Sequence, residues 1–150
     1  MIERMINIEN DRSGTKRRGE SHFGKKILIV DDEKDIRDVI KETLKVDNFT
    51  VLEAETGEYA WNLVRQQNPD LVLLDVILPG KWNGFDVYKK MKADKSTEKT
   101  PVVFLTAVAK EEKPDIKIDD RNYFYKPFSP IQLVDKIYEV LDKSEEPEVH

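Results

Sequence analysis

The segment Leu71-Val72-Leu73-Leu74-Asp75, followed by Val76-Ile77-Leu78-Pro79-Gly80, decides the fold of this chain. Its consecutive aliphatic residues predict a short strand buried on both faces, as in a parallel sheet covered by helices. Pro79-Gly80 ends regular structure soon afterwards. Asp75 is therefore expected at the carboxyl end of a central strand, the edge where open α/β sheets bind ligands.

Other apolar runs along the chain also end on polar residues. They are residues 27–30 before Asp31-Asp32, residues 102–105 before Thr106, and Tyr123–Tyr125 before Lys126-Pro127. If these strands are parallel, their carboxyl ends meet at one edge of the sheet. The sequence thus predicts that carboxylates, a hydroxyl and an ammonium group converge there.

The bulk properties of the chain exclude several classes of protein. A net charge of −5 over 150 residues argues against nucleic acid as a partner of the whole chain. The absence of cysteine excludes disulfides and thiolate metal sites. The apolar runs are too short to span a bilayer and no signal segment opens the chain, so a cytoplasmic location is expected.

The composition divides the chain into three parts. Residues 1–24 are mostly polar and punctuated by glycine, which predicts a flexible N-terminal extension. Residues 25–143 carry the regular apolar pattern and form one domain. Residues 144–150 form an acidic C-terminal tail.

Helical patterns alternate with the predicted strands. Apolar residues at helical spacing indicate helices over 33–46, from Thr56-Gly57 to about 67, from Asn83-Gly84, and after Ser129-Pro130. Val39, Tyr59 and Ile131 are assigned to inner helix faces. This alternation predicts an α/β fold: a flavodoxin-like, doubly wound, five-stranded parallel sheet with strand order 2-1-3-4-5.

The segment 109–121 is the exception to the helical pattern. Pro114 interrupts it, and Ile116 and Ile118 are two residues apart, which is not a helical spacing. We predict a short or irregular fourth helix here.

The predicted cluster of Asp31, Asp32 and Asp75 suits a cation. Three adjacent carboxylates repel one another. The positive charge of Mg²⁺ relieves this repulsion, and carboxylate oxygens are ligands that Mg²⁺ prefers. An aspartate beside Mg²⁺ and a lysine can attack phosphorus to form an aspartyl phosphate. Lys126 would balance the charge on the phosphoryl oxygens, and Thr106 would donate a hydrogen bond to them.

Each of these residues alone also has an ordinary structural interpretation. Asp31 and Asp32 would suit helix caps, Asp75 a loop, Thr106 the end of a strand and Lys126 a solvated surface. Their combination at the ends of successive strands favours a functional site.

The sequence resembles the receiver domain of response regulators in two-component signalling. The matching motifs are Ile27-Leu28-Ile29-Val30-Asp31-Asp32-Glu33, Leu73-Leu74-Asp75-Val76-Ile77-Leu78-Pro79-Gly80, Leu105-Thr106-Ala107 and Tyr123-Phe124-Tyr125-Lys126-Pro127-Phe128. The resemblance implies that Asp75 accepts phosphate from a histidine kinase or histidine phosphotransferase. It also implies that Asp32, Asp75 and the Ile77 carbonyl bind Mg²⁺ directly, and that Asp31 acts largely through water.

The resemblance assigns further roles at the ends of the last two strands. Thr106 and Lys126 would hold the phosphoryl group, Tyr123 matches the aromatic switch residue, and the Lys126-Pro127 bond would be cis. In the family, the side chains at the positions of Ile77 and Val108 line the path of the attacking water. Both are apolar here, so a long-lived phosphoryl group is expected.

The chain also departs from the family pattern. Gly84 follows Asp75 by nine residues, one more than usual, so we predict that Lys81-Trp82 bulges outward. The Gly-Ala-Asp usual before strand five is missing, which predicts an altered output surface. We therefore expect a stand-alone, monomeric receiver that switches an unknown protein partner or relays phosphate, with residues 109–121 changing order on activation.

Other functions remain as alternatives. A small Mg²⁺-dependent aspartyl-phosphate phosphatase would place its nucleophile on strand one in an Asp-x-Asp pattern, whereas Asp31 and Asp32 are adjacent. A flavodoxin-type carrier would need a phosphate loop where the acidic Asp31-Asp32-Glu33 stands. A degenerate scaffold would lack a key residue, and none is missing. An enzyme acting on a separate substrate is not expected.

Overall fold

A computed structural model describes residues 22–107 and 120–145 of the chain. Its strands are β1 (Lys26–Val30), β2 (Thr50–Ala54), β3 (Leu71–Asp75), β4 (Val102–Thr106) and β5 (Tyr123–Tyr125). The strands pair in parallel in the order β2-β1-β3-β4-β5. The predicted fold class and strand order are confirmed.

Helices cover both faces of this sheet. Within the described residues they are α1 (Lys34–Val46), α2 (Gly57–Gln67), α3 (Gly84–Ala93) and α4 (Pro130–Ser144). Alternate strand residues face opposite layers, so Leu71 and Leu73 pack with α1 and α4, while Val72 and Leu74 pack with α2 and α3. All five residues of β3 are buried, because both of its faces lie under helices.

The helix starts follow local capping signals. The Thr56 side chain accepts a hydrogen bond from Tyr59 N, and Asn83 forms a reciprocal capping box with Asp86. Ser129 precedes Pro130 at the start of α4, as predicted. Glu33 occupies the N-cap position of α1, so neither Asp31 nor Asp32 is its N-cap residue.

The inner faces of the helices differ from the prediction at three positions. Val39, Tyr59 and Ile131 are exposed by 50%, 53% and 73%, so their assignment to inner faces is wrong. On α1 the buried positions are Arg37, Ile40 and Leu44. An apolar stripe predicts a face only approximately, and the packing partner decides which edge of the stripe is covered.

The loop after β3 is held against α2. Lys81 is exposed as the predicted bulge requires, but Trp82 is half-buried, so its outward placement is wrong. Trp82 N donates a hydrogen bond to Glu58 Oε1 at 3.0 Å. Lys90 Nζ lies 4.7 Å from the centroid of the Trp82 ring. These contacts give the loop a defined position beside α2 and α3.

A turn before β1 contacts the last helix. His22 lies within the predicted N-terminal extension, yet its side chain is only 1% exposed. Its Nε2 lies 2.7 Å from Asp142 Oδ1, and its ring centroid lies 5.7 Å from that of Tyr138. His22 therefore packs with the domain.

The predicted fourth helix falls on residues 109–121, of which 109–119 lie outside the described residues, as does Val108. A short 3₁₀ turn, Asp120–Asn122, leads into β5. Across the described ranges, the helices lack the length and apolar character that crossing a bilayer requires.

Candidate functional site

The carboxylates at the ends of β1 and β3 lie together, as the strand pattern predicts. Asp75 is the last residue of β3, and Asp31 and Asp32 directly follow β1. Oxygen atoms of these three side chains lie within 4.8 Å of one another. Asp31 and Asp75 are 0% and 5% exposed, whereas Asp32 faces solvent. The site is thus an acidic pocket that opens to solvent at Asp32.

Lys126 joins the two buried carboxylates. Its Nζ donates to Asp31 Oδ2 at 2.7 Å and to Asp75 Oδ2 at 2.9 Å. Glu33 Oε1 lies further away, at 3.6 Å. Lys126 N donates to the Thr106 carbonyl at 2.9 Å, which holds the chain after β5 beside the end of β4. The Lys126-Pro127 bond is cis, as the resemblance implies.

Thr106 and the Ile77 backbone lie at the edge that holds this pocket, whereas Tyr123 begins β5 and packs against Phe104. Thr106 ends β4 and is 1% exposed. The Tyr123 ring is buried, with its centroid 5.3 Å from that of Phe104. Ile77 N donates to Asp75 Oδ1 at 3.1 Å, while its side chain is 64% exposed. The structure therefore brings Thr106 to the same sheet edge and places the Ile77 backbone directly beside Asp75.

The electrostatics of the pocket favour an additional cation. Burial raises the pKa of Asp75, and the Asp31 charge adds to this effect, although Lys126 opposes it. Burial lowers the pKa of Lys126, but its hydrogen bonds and attraction to Asp31 and Asp75 outweigh burial, so the pKa lies above its ordinary value. Lys126 therefore remains an ammonium ion. One ammonium shared by Asp31 and Asp75 leaves negative charge in the pocket for a divalent cation.

Gly84 determines how closely α3 approaches Asp75. A Cβ atom at this position would lie 2.2 Å from the Asp75 carbonyl oxygen and 2.9 Å from Val76 Cα. Gly84 N also donates to the Val76 carbonyl at 2.8 Å. The sequence pattern places Gly84 at a helix start after a long loop, but its close approach to Asp75 is visible only in three dimensions. A glycine at the first position of a helix is the sequence feature that could have indicated this close approach between the helix and the Asp75 backbone.

Comparison with known proteins places the chain in a family. Residues 27–138 match the response regulator receiver domain family. The chain belongs to this family. Receiver domains are signalling domains of two-component systems, so the predicted family is confirmed.

Curated relatives of this receiver domain are longer proteins. The phosphate regulon transcriptional regulatory protein PhoB of Pseudomonas aeruginosa is 37% identical over 123 residues, which cover 81% of this chain and 53% of PhoB. The transcriptional regulatory protein CpxR of Escherichia coli is 38% identical over 121 residues, covering 79% of this chain and 50% of CpxR. The chain thus spans about half the length of the curated relatives it matches.

Solved receiver structures share the fold over nearly their whole length. The chemotaxis response regulator CheY4 of Vibrio cholerae is 26% identical, with a TM-score of 0.67 over 78% of this chain and 98% of CheY4. A CheY-like receiver domain protein from Methanospirillum hungatei is also 26% identical, with a TM-score of 0.68 over 81% of this chain and 97% of the other.

Proposed function

We propose that this receiver domain accepts one phosphoryl group on Asp75 from a histidine kinase or histidine phosphotransferase. Phosphorylation then changes its contacts with a protein partner or precedes transfer of the phosphate to another protein. The observation that carries the proposal is the bridge from Lys126 to Asp31 and Asp75 at the carboxyl edge of the sheet. Membership of the receiver family favours this function over that of an aspartyl-phosphate phosphatase.

The carboxylates of the pocket fit Mg²⁺. Their oxygens converge within 4.8 Å, and Mg²⁺ takes oxygen ligands from one or two carboxylates together with water. We propose that Asp32, Asp75 and the Ile77 carbonyl hold the ion directly and that Asp31 acts through water. When bound, Mg²⁺ neutralises charge on the phosphoryl oxygens.

The side chains of the site then have defined roles in phosphoryl transfer. A carboxylate oxygen of Asp75 forms a bond to phosphorus while the bond from phosphorus to the donor's histidine nitrogen breaks. The electron pair of the broken bond stays on the imidazole, which takes up a proton. Lys126 balances the charge of the phosphoryl group, and the Thr106 hydroxyl donates a hydrogen bond to it.

Intact-mass measurement tests the proposal. The protein is incubated with a small phosphodonor such as acetyl phosphate, with Mg²⁺ or with a chelator. We expect the mass of one phosphoryl group to be added, and only in the presence of Mg²⁺. Continuous release of phosphate from a phosphomonoester, without accumulation of phosphoprotein, would instead support the phosphatase alternative.

The two carboxylates after β1 are expected to contribute unequally to Mg²⁺ binding. Asp31 is buried, and its oxygens accept hydrogen bonds from Glu33 N at 2.9 Å and from Lys126 at 2.7 Å. The Asp32 carboxylate is exposed to an incoming ion. Asp32→Ala should therefore weaken Mg²⁺ binding more than Asp31→Ala. Thermal-shift titrations with Mg²⁺ measure this difference through linkage, and equal responses of both variants and the unaltered protein would contradict it.

An apolar surface beside Lys126 suits docking of the phosphodonor protein. A cavity of about 340 Å³ is lined by Ile36, Val39, Ala107 and Phe128 together with Lys126. Val39 is 50% exposed on α1. A donor histidine must reach Asp75, so the donor protein covers surfaces next to the site. We propose that this apolar surface, which includes Val39, contacts the donor.

A charged residue in place of Val39 is expected to slow phosphoryl transfer from a donor protein without slowing phosphorylation by a small phosphodonor. Val39→Asp should slow transfer from a phosphorylated donor protein about tenfold or more, because it buries an unpaired carboxylate at the contact. It should leave phosphorylation by acetyl phosphate unchanged. Val46→Asp is the matched control, since Val46 is 71% exposed at the far end of α1. Equal transfer rates for both variants would rule out docking at Val39.

A further inference from the structure

Arg37 is a buried cation on the inner face of α1. It is 5% exposed, and its guanidinium makes three hydrogen bonds in different directions. Nη1 donates to the Asp31 carbonyl oxygen at 2.7 Å. Nε donates to Glu53 Oε1 and Nη2 to Glu55 Oε1, each at 3.1 Å. Arg37 therefore links the residue that begins the acidic pocket to the end of β2.

The pairing of the strands does not depend on Arg37. Val30 and Ala54 are partners in the β1–β2 register, and Asp31 N extends this ladder by donating to the Ala54 carbonyl at 3.1 Å. The bond from Arg37 is additional and ends on the Asp31 carbonyl. A buried guanidinium is costly unless its donors are satisfied. Its placement at this carbonyl points to a role in the pocket.

Asp31 is held at each of its polar atoms. Besides its backbone bonds to Ala54 and Arg37, its Oδ1 accepts from Glu33 N at 2.9 Å and its Oδ2 accepts from Lys126 at 2.7 Å. Asp32 comes next in the chain, and its side chain is exposed. The direction of the Asp32 carboxylate therefore depends on the backbone that Arg37 restrains.

We propose that Arg37 is a positioning residue for divalent cation binding: it holds the Asp31 carbonyl so that the carboxylates of Asp31 and Asp32 face Asp75. The inference rests on the proposed Mg²⁺ site. Arg37 acts through the Asp31 backbone and touches neither the ion nor the phosphoryl group.

Arg37 has two opposite effects on the binding of Mg²⁺. A positive charge behind the pocket repels the ion, so its removal would strengthen binding. Glu53 and Glu55 pair with Arg37, and Lys41 Nζ lies 3.2 Å from Glu53 Oε2. Burial raises the pKa of Glu53, but its hydrogen bonds with Lys41 and Arg37 outweigh this and keep the group ionised. We expect loss of orientation to outweigh the lost repulsion in Arg37→Gln, and Arg37→Lys, which keeps the charge, isolates the effect of orientation.

The test measures the Kd for Mg²⁺ by following amide shifts in NMR titrations of the full chain. Arg37→Gln should raise Kd about tenfold, as loss of groups that orient metal ligands commonly does. Arg37→Lys keeps the charge but cannot span the same three acceptors, so it should also raise Kd. Glu55→Gln removes only an exposed partner and keeps the Asp31 bond, so its Kd should stay close to that of the unaltered protein.

The outcomes separate this inference from the proposed function. An unchanged or lower Kd in folded Arg37→Gln would overturn the positioning role. If that variant does not fold, an unchanged Kd in Arg37→Lys would overturn it equally. If the unaltered protein neither binds Mg²⁺ nor gains phosphate, the proposed function itself fails. A raised Kd in both Arg37 variants, with Glu55→Gln unaffected, would support the inference.

Discussion

Replacing Asp75 with asparagine is expected to abolish phosphorylation by acetyl phosphate in the presence of Mg²⁺. The amide of asparagine is a far weaker nucleophile than a carboxylate and carries no charge to bind a cation. Asp75 is 5% exposed at the end of β3, and asparagine is nearly the same size, so the fold should be retained. Intact-mass measurement after incubation should show no added phosphoryl group in Asp75→Asn.

Asp94→Asn provides the matched control for this result. Asp94 follows α3, and its Oδ1 accepts hydrogen bonds from Ser96 N and Ser96 Oγ, which an asparagine oxygen can also accept. This variant should gain phosphate at the normal rate. Phosphate gained by Asp75→Asn under the same conditions would show that another residue is the acceptor. Peptide mapping would then identify it.

Replacing Lys126 with methionine is expected to cause the largest loss of stability among the site variants. Lys126 Nζ pairs with Asp31 and Asp75 at 2.7 and 2.9 Å, and all three side chains are largely buried. Methionine leaves two buried carboxylates without a cation. Breaking such a pair should lower the free energy of unfolding by about 3 kcal/mol at neutral pH without Mg²⁺. Urea unfolding measures this change.

The loss should depend on pH in a defined direction. Burial already raises the pKa of Asp75 in the unaltered protein, and removing the ammonium raises it further. An acid with a raised pKa binds protons more readily in the folded state than in the unfolded state. Stability therefore falls as the pH rises from the ordinary pKa of the unfolded state through the raised pKa of the folded state. Lys126→Met should therefore regain stability as the pH is lowered from 7 toward 5. Mg²⁺ should also stabilise this variant strongly, because the ion replaces the lost charge.

Lys136 offers a control of similar burial. Its side chain is 15% exposed, against 14% for Lys126, but it lies 3.8 Å from a carboxylate oxygen of the half-exposed Glu139. Lys136→Met should change the free energy of unfolding by about 1 kcal/mol or less, as expected for a surface ion pair. Equal losses in both variants would show that lost packing of the lysine stem, and not the buried charges, accounts for the effect.

The sequence alone determined the strands and the edge at which the polar residues gather. The aliphatic run that ends at Asp75 is buried on both faces, as its length and composition predict for a strand in a parallel sheet. The alternation of strands and helices indicated a parallel, doubly wound sheet, and the observed order 2-1-3-4-5 is a common one for a domain of this size. The helix starts at Asn83 and Ser129 were also predictable, because capping depends on residues three positions apart.

Sequence patterns were less informative about the helix faces. Val39 and Ile131 are apolar at helical spacing, yet both are exposed, while the charged Arg37 is buried. Spacing predicts that a helix has an apolar stripe, but the neighbouring strand decides which residues it covers. Arg37 becomes a buried residue only because the Asp31 carbonyl, Glu53 and Glu55 surround it with acceptors.

Only the tertiary structure decided the contacts between distant parts of the chain. Lys126 meets Asp31 across 95 residues of sequence, and Trp82 N meets Glu58 across 24. His22 likewise meets Asp142 across 120 residues. Hydrophobic periodicity and capping arise between near neighbours along the chain, so the sequence carries them directly. An ion pair between distant residues depends on the register and packing of several elements at once, and a single sequence does not encode that geometry locally.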